Sequence, residues 1–239
     1  MTFEIYNTDC ILGMEKLETE SVDALITDPP YNIAQDNNFK SMGRSGIDFG
    51  KWDKNFNLIS WLPIAIDKVK KGGNIVIFAD WKSTTPITKE LEKFNCKVKD
   101  MIRVEKANPM PRNRDRRFIV DYEIAIWAVK NGAKWTFNRL SQTYERPLVK
   151  TKVTPKSEKI DNGHPTQKNV ETMEWIIERL TNKKDIILDP FMGSGTTGVA
   201  CQNKERQFIG YELDERYFLM ADTRINSIDK LKAGAAHEQ

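Results

Sequence analysis

Apolar residues recur along the chain in two rhythms. Short runs rich in β-branched and aliphatic residues at Ile5–Thr8, Asp23–Thr27, Asn74–Ala79, Val98–Val104, Glu123–Val129, Ile186–Asp189 and Phe208–Tyr211 have the length and composition of strands. Leu58–Val69, Thr85–Phe94, Asn169–Leu180, Thr197–Asn203 and Glu215–Ile228 carry apolar residues at helical spacing, and a short helical connection is expected between the first two strands. Gly72 and Gly73 read as the stop of the helix before Asn74. This alternation predicts an α/β fold, a doubly wound and mostly parallel sheet covered by helices on both faces. Arg139–Gly163 mixes prolines and lysines with few periodic apolar positions and reads as a long loop. The expected organisation is one domain over residues 1–229, followed by a frayed tail over 230–239.

Composition narrows the picture. The chain has 239 residues, 39% of them hydrophobic, enough for one substantial core and a small appended region. No apolar run approaches the roughly 20 residues that cross a bilayer, and Met1–Asp9 lacks the basic and apolar regions of a leader. A cytoplasmic protein without a membrane partner is expected. Cys10, Cys96 and Cys201 are scattered, as are His164 and His237, so neither a disulfide framework nor a metal site is expected. The net charge of +3 is small, but it is unevenly placed. Lys97–Arg117 holds eight Lys or Arg against three Asp or Glu, and Lys130–Lys159 eight against two. A basic middle suits a nucleic-acid partner; a solvated polar surface is the alternative.

Two short motifs carry chemistry. Ile186-Ile187-Leu188-Asp189-Pro190-Phe191-Met192-Gly193-Ser194-Gly195-Thr196-Thr197-Gly198 reads as a strand, a tight turn and a helix start. Gly193 and Gly195 remove side chains where a ligand must approach the backbone, and Glu212, at the end of the next strand, is suited to accepting hydrogen bonds from ribose hydroxyls. The same glycines, with Gly198, satisfy a dinucleotide fingerprint, so the turn alone leaves NAD open. Asp189 argues against NAD, because a carboxylate at the mouth of the turn repels a pyrophosphate and attracts the ammonium and sulfonium of S-adenosylmethionine. A P-loop lacks its Lys here.

Asp28-Pro29-Pro30-Tyr31 follows a strand and projects from its carboxyl edge. The amino group of a nucleobase is a poor nucleophile, because its lone pair is delocalised into the ring. The Asp28 carboxylate and a carbonyl held rigid by Pro29 and Pro30 can accept both amino hydrogens and stabilise the positive charge that develops on nitrogen. Tyr31 offers a face on which an extruded base can stack. The bland alternative is a strand ended by two prolines.

Together, Asp28–Tyr31 and Asp189–Thr196 resemble the two signature motifs of the amino-methylating DNA methyltransferases. Their order, catalytic motif first and cofactor motif last, resembles the β class, with a circularly permuted S-adenosylmethionine-dependent methyltransferase fold and a small irregular recognition region. The resemblance runs from about Ile5 to Ile228. It implies that the strands before Asp28 and Asp189 are neighbours at the topological switch point. Asn7-Thr8-Asp9-Cys10 resembles a family segment beside the cofactor's adenine, and His164-Pro165-Thr166-Gln167-Lys168 one near its methionine part. The resemblance therefore puts Asp9, Cys10, His164, Thr166, Gln167, Lys168, Asp189, Pro190, Phe191, Gly193, Ser194, Gly195, Thr196 and Glu212 on the cofactor. The alternatives are a helix cap for Asp9 and a helix-start turn for 164–168. Asp in the first catalytic position is associated in the family with adenine, which favours adenine N6 over cytosine N4.

The resemblance places target recognition between the motifs, at about 106–117 and 139–163. Arginines and asparagines there suit base edges and phosphates, which nominates Lys106, Asn108, Arg112, Asn113, Arg114, Arg116 and Arg117 for DNA contact. Gly46–Asp53 reads as a lid or as a segment near the flipped base, and Phe49 and Trp52 equally as core. The implied activity is site-specific methylation of a flipped adenine in DNA, and a homodimer and a cognate restriction endonuclease are partners that the resemblance admits. The rival readings are a cytosine-N4 enzyme, a non-catalytic nucleic-acid binder on the same fold, and an NAD-dependent oxidoreductase.

Overall fold

The computed structural model describes residues 2–30, 56–109, 115–116, 118–151 and 167–236. The first half contains β1 (Phe3–Asn7), α1 (Cys10–Met14), β2 (Val22–Thr27), α2 (Leu62–Lys68), β3 (Val69–Ala79), α3 (Thr84–Lys93) and β4 (Cys96–Lys106). The second contains β5 (Tyr122–Lys130), β6 (Leu148–Thr151), α4 (Val170–Leu180), β7 (Ile186–Asp189), α5 (Thr196–Asn203), β8 (Gln207–Glu212) and α6 (Glu215–Ala236). The eight strands form one sheet in the order β1-β8-β7-β2-β3-β5-β4-β6. Neighbours run parallel except at β5, which is antiparallel to both β3 and β4. The 107–121 connection holds no helix among its described residues, and strands joined without a crossover helix pair antiparallel.

Alternate residues of the central strands face opposite layers. Ala24, Ile26, Val76 and Phe78 pack with Met173, Ile177, Ala200 and Ala221 of α4, α5 and α6. Leu25, Ile75 and Ile77 pack with Met14, Leu62, Ile66 and Leu91 of α1, α2 and α3. Strands covered on both faces become near-continuous apolar runs, which is how β2, β3 and β7 read in the sequence.

Chain direction diverges at the middle of the sheet. From β2 the chain goes to β3 on one side, and from β7 to β8 on the other. The carboxyl ends of β2 and β7 therefore flank the switch-point crevice, with Ala24 opposite Ile187 and Leu25 opposite Leu188.

Several expectations change in detail. Gly72 and Gly73 do not stop a helix; α2 has already ended at Lys68, and both glycines lie inside β3. A Cβ at Gly73 would stand 2.8 Å from the Asp23 carbonyl, where β3 passes an irregularity in its pairing with β2. Residues 58–60 form a turn before α2, with the Asn57 side chain accepting from the Ile59 and Ser60 amides. The long loop expected over 139–163 contains β6, whose Val149 and Thr151 are buried. At the far end, α6 continues through part of the expected 230–239 tail to Ala236. No helix among the described residues is long and apolar enough to cross a membrane.

Candidate active site

β2 ends at Thr27 because Pro29 and Pro30 have no N–H with which to extend a ladder. Thr27 Oγ1 donates to Asp189 Oδ1 at 2.7 Å, which pins the ends of β2 and β7 together. Asp28, half-buried, follows on one side of this pin and the glycine turn on the other. The Asp28 carboxylate meets Lys168 Nζ at 2.7 Å from Oδ2, and the same ammonium lies 3.2 Å from Glu123 Oε2. Glu123 Oε1 in turn meets Lys106 Nζ at 2.5 Å. Burial works against the Lys168 charge, but the two carboxylates outweigh it and hold its pKa above the usual lysine range. Burial likewise opposes the Glu123 charge, and Lys168 and Lys106 overcome it, bringing that carboxyl down to about 2.

The glycine turn is braced from three directions. Beneath it, Asp189 is buried and accepts from Thr27 and from the Phe191 amide at 3.1 Å. Burial pushes its carboxyl up to about 6 against the hydrogen bonds of Thr197 and Thr27, and the Asp28 charge adds to the rise. The carboxylate expected at the mouth of the turn is buried: Asp189 Oδ1 is taken up by Thr27 of the neighbouring strand and by the Phe191 amide of the turn. Beside the turn, Glu212 accepts from the Gly193 amide at 2.9 Å and the Asp214 amide at 2.8 Å. Burial pushes the Glu212 carboxyl up to about 7 despite these two donors. On the third side, Arg224 Nη1 donates to the Ser194 carbonyl at 2.6 Å, to Ser194 Oγ at 3.1 Å and to Thr196 Oγ1 at 3.2 Å.

Backbone shape demands the glycines. Gly193 has φ +51° and Gly195 φ +76°, the left-handed region that side chains disfavour. A Cβ at Gly195 would also stand 2.9 Å from Ala221 Cβ of α6. Pro190 and Ser194 are buried, and the Phe191 ring packs edge-on against Phe56 and Trp61 at 5.3 and 5.0 Å.

The N-terminal segment runs beside Glu212. Asn7 pairs with Glu212 across β1 and β8, and the Thr8 amide donates to the Glu212 carbonyl at 3.1 Å. Asp9 Oδ1 accepts from the Ile11 and Leu12 amides at 2.9 and 3.2 Å, so it caps α1, the alternative left open by the sequence. Burial, and then the charge of Asp9, raise the Cys10 thiol to about 12, and the Glu212 charge adds to this. From the other side, Thr196 Oγ1 donates to the Lys168 carbonyl at 3.4 Å. Lys168, expected on the cofactor, therefore touches the glycine turn through its backbone and the Asp28 carboxylate through its side chain. Gln167 is half-buried beside it.

Of the residues nominated for DNA contact, Asn108 and Arg116 are exposed, while Lys106 is engaged with Glu123. Phe118 is 97% exposed next to them, an aromatic that the sequence reading did not single out. Tyr31, Phe49, Trp52, His164, Thr166, Arg112, Asn113, Arg114 and Arg117 lie outside the described residues. Glu123 and Arg224 were also missed. One is a polar position in an apolar strand and the other an ordinary cation on an amphipathic helix, and neither has a local signal.

Comparison with known proteins agrees with this geometry. The DNA methylase family, N6_N4_Mtase, matches residues 22–223. The chain is 32% identical to "Type II methyltransferase M2.LlaDCHI" of Lactococcus lactis subsp. cremoris, over 93% of this chain and 88% of that protein. It is 31% identical to "Type II methyltransferase M2.MboI" of Moraxella bovis, over 95% and 88%. Among solved structures, that of the M1.HpyAVI-SAM complex is similar, with a TM-score of 0.75, 41% identity, and 93% of this chain and 100% of that chain covered.

Proposed function

The chain belongs to the DNA methylase family, and on that premise we propose that it transfers a methyl group from S-adenosylmethionine to the N6 amino group of an adenine flipped out of DNA. The observation that carries this reading is the Thr27–Asp189 bond across β2 and β7, which sets Asp28 beside the glycine turn. The turn fits the cofactor. Burial pushes the Glu212 carboxyl beside the turn up to about 7, so a nearby cation relieves its unfavourable charge, whereas a pyrophosphate would worsen it. Gly193, Ser194, Gly195, Thr196 and Glu212 would hold it, with Asp9, Cys10 and Gln167 on its flanks and Asp189 beneath. When bound, S-adenosylmethionine supplies an electrophilic methyl group on sulfonium.

The remaining work falls to the chain. Asp28 and the Pro29 carbonyl accept the amino hydrogens, which draws the nitrogen out of conjugation and offsets the charge that develops on it. Tyr31 stacks on the base. Asn108, Arg116 and the rest of 106–117 and 139–163 supply the DNA surface of a single methyltransferase domain. The type II designation of the relatives supports a companion restriction endonuclease. The same reading places the enzyme in the cytoplasm and admits a homodimer. Incubation of unmethylated DNA with radiolabelled S-adenosylmethionine, followed by nucleoside chromatography, tests it. Label should appear in N6-methyladenine; label in 4-methylcytosine alone would exclude adenine, and no label on diverse DNA would exclude the activity.

A further inference from the structure

Four side chains of alternating charge run in a line from the catalytic motif to the edge of the recognition region. Asp28, Lys168, Glu123 and Lys106 are linked by contacts of 2.7, 3.2 and 2.5 Å. Their origins are unrelated: the end of β2, the segment before α4, β5 and β4. The Lys168 side chain is only 11% exposed, and its ammonium also lies 5.1 Å from the centre of the Phe78 ring. An ammonium this buried is costly unless carboxylates surround it, and two do. The arrangement has a chemical consequence at its inner end. An acceptor for amino hydrogens must be ionised and must present its lone pairs in a fixed direction. The Asp189 carboxylate lies close enough to feel the Asp28 charge, which raises its pKa, so the Lys168 ammonium is the cation that offsets Asp28 on its other side.

We infer that Lys168 and Glu123 are positioning residues for methyl transfer: Glu123 holds the Lys168 ammonium against Asp28, which keeps that carboxylate ionised and fixes its plane toward the incoming amino group. Lys168 therefore serves the catalytic side of the crevice with its side chain, although its backbone braces the cofactor turn. The charged groups near Asp28 include Lys168 and Asp189, with Glu123 and Lys106 acting through Lys168. The inference rests on the adenine-methylation reading, and its test separates the two.

The test is the pH dependence of kcat at saturating S-adenosylmethionine for the full-length wild type, Lys168→Met, Lys168→Arg and Glu123→Gln. In Lys168→Met the acid limb should move up by about 1–3 pH units, the range over which an adjacent cation shifts an aspartate. At mildly acid pH this lowers kcat by roughly tenfold or more, with KM for S-adenosylmethionine little changed. Glu123→Gln should move the limb in the same direction by less, and Lys168→Arg should restore it. If Lys168→Met does not fold, as a thermal melt would reveal, the other two variants keep a cation at position 168 and decide the matter. An unmoved limb in Glu123→Gln and Lys168→Met would overturn the inference, and so would a loss that appears only as weaker cofactor binding. Wild-type enzyme that makes no N6-methyladenine would remove the functional reading and this inference together. An active wild type with unshifted variants would remove this inference alone.

Discussion

Thr27 Oγ1 donates a 2.7 Å hydrogen bond to Asp189 Oδ1, joining the last residue of β2 to the last residue of β7. Through this bond the motif proposed to meet the base and the turn proposed to meet the cofactor share one fixed point. Thr27→Val keeps the shape and removes the donor, leaving a buried carboxylate short of a partner. Stability should fall by about 1–3 kcal/mol, and kcat should fall with it. Chemical denaturation and single-turnover methylation measure the two effects; full stability would mean that the pin does not form in solution.

Asp28→Ala should nearly abolish transfer, by about 10²–10³-fold or more, because it removes the acceptor at the developing charge. Cofactor affinity, measured by calorimetry, should change little. Loss of both together would move Asp28 to the cofactor side.

Gly195→Ala forces a side chain into φ +76° and sets its Cβ 2.9 Å from Ala221 Cβ. The left-handed backbone alone costs about 1–2 kcal/mol. Thermal denaturation should show at least that loss, and cofactor affinity should weaken because the turn must shift away from α6. An unchanged melting temperature and affinity would contradict the tight packing of the turn.

Glu212 rises from an ordinary 4.5 to about 7 in the folded protein. Between those values the folded state binds more protons than the unfolded one, so stability without cofactor should fall as pH climbs from 4.5 to 7. The Glu212 contribution is on the order of 3 kcal/mol. Glu123, brought down to about 2, acts in a separate window: its stabilisation is complete above 4.5 and is lost as pH drops toward 2. Glu212→Gln should flatten the slope between 4.5 and 7 in a pH series of denaturation midpoints. Unchanged slope in the variant would assign the titration elsewhere.

Replacing Arg112, Arg114 and Arg116 together should weaken DNA binding and reduce its salt dependence. Each lost phosphate contact removes about 0.9 from the slope of log affinity against log salt. Fluorescence anisotropy over a salt series reads this directly, and an unaltered slope would move the DNA surface to another part of the molecule.

Most of the sheet was legible because its inner strands are apolar on both faces. Ile186–Asp189 was read with the bounds that β7 has. β6 was lost because four residues, two of them facing outward, leave no period to detect. The Gly72-Gly73 pair was misread for a physical reason: close approach of two strands and termination of a helix both require glycine, and only the neighbouring Asp23 backbone distinguishes them. The site divides in the same way. Asp28, Gly193, Gly195 and Glu212 announce themselves through strand-end motifs. Thr27 reads as the tail of an apolar run, Lys168 as part of a cofactor segment, Glu123 only as the first residue of a strand, and Arg224 only as a position within a helix. Their roles arise from contacts between residues dozens of positions apart, which no local pattern records.

The most direct measurement is base-resolution mapping of methylated positions by long-read sequencing of DNA from cells that express either the wild type or Asp28→Ala. The account predicts N6-methyladenine at one recurrent sequence with the wild type and none with the variant, whose purified form still binds S-adenosylmethionine. Equal methylation in both, or a wild-type signal confined to cytosine, would contradict it.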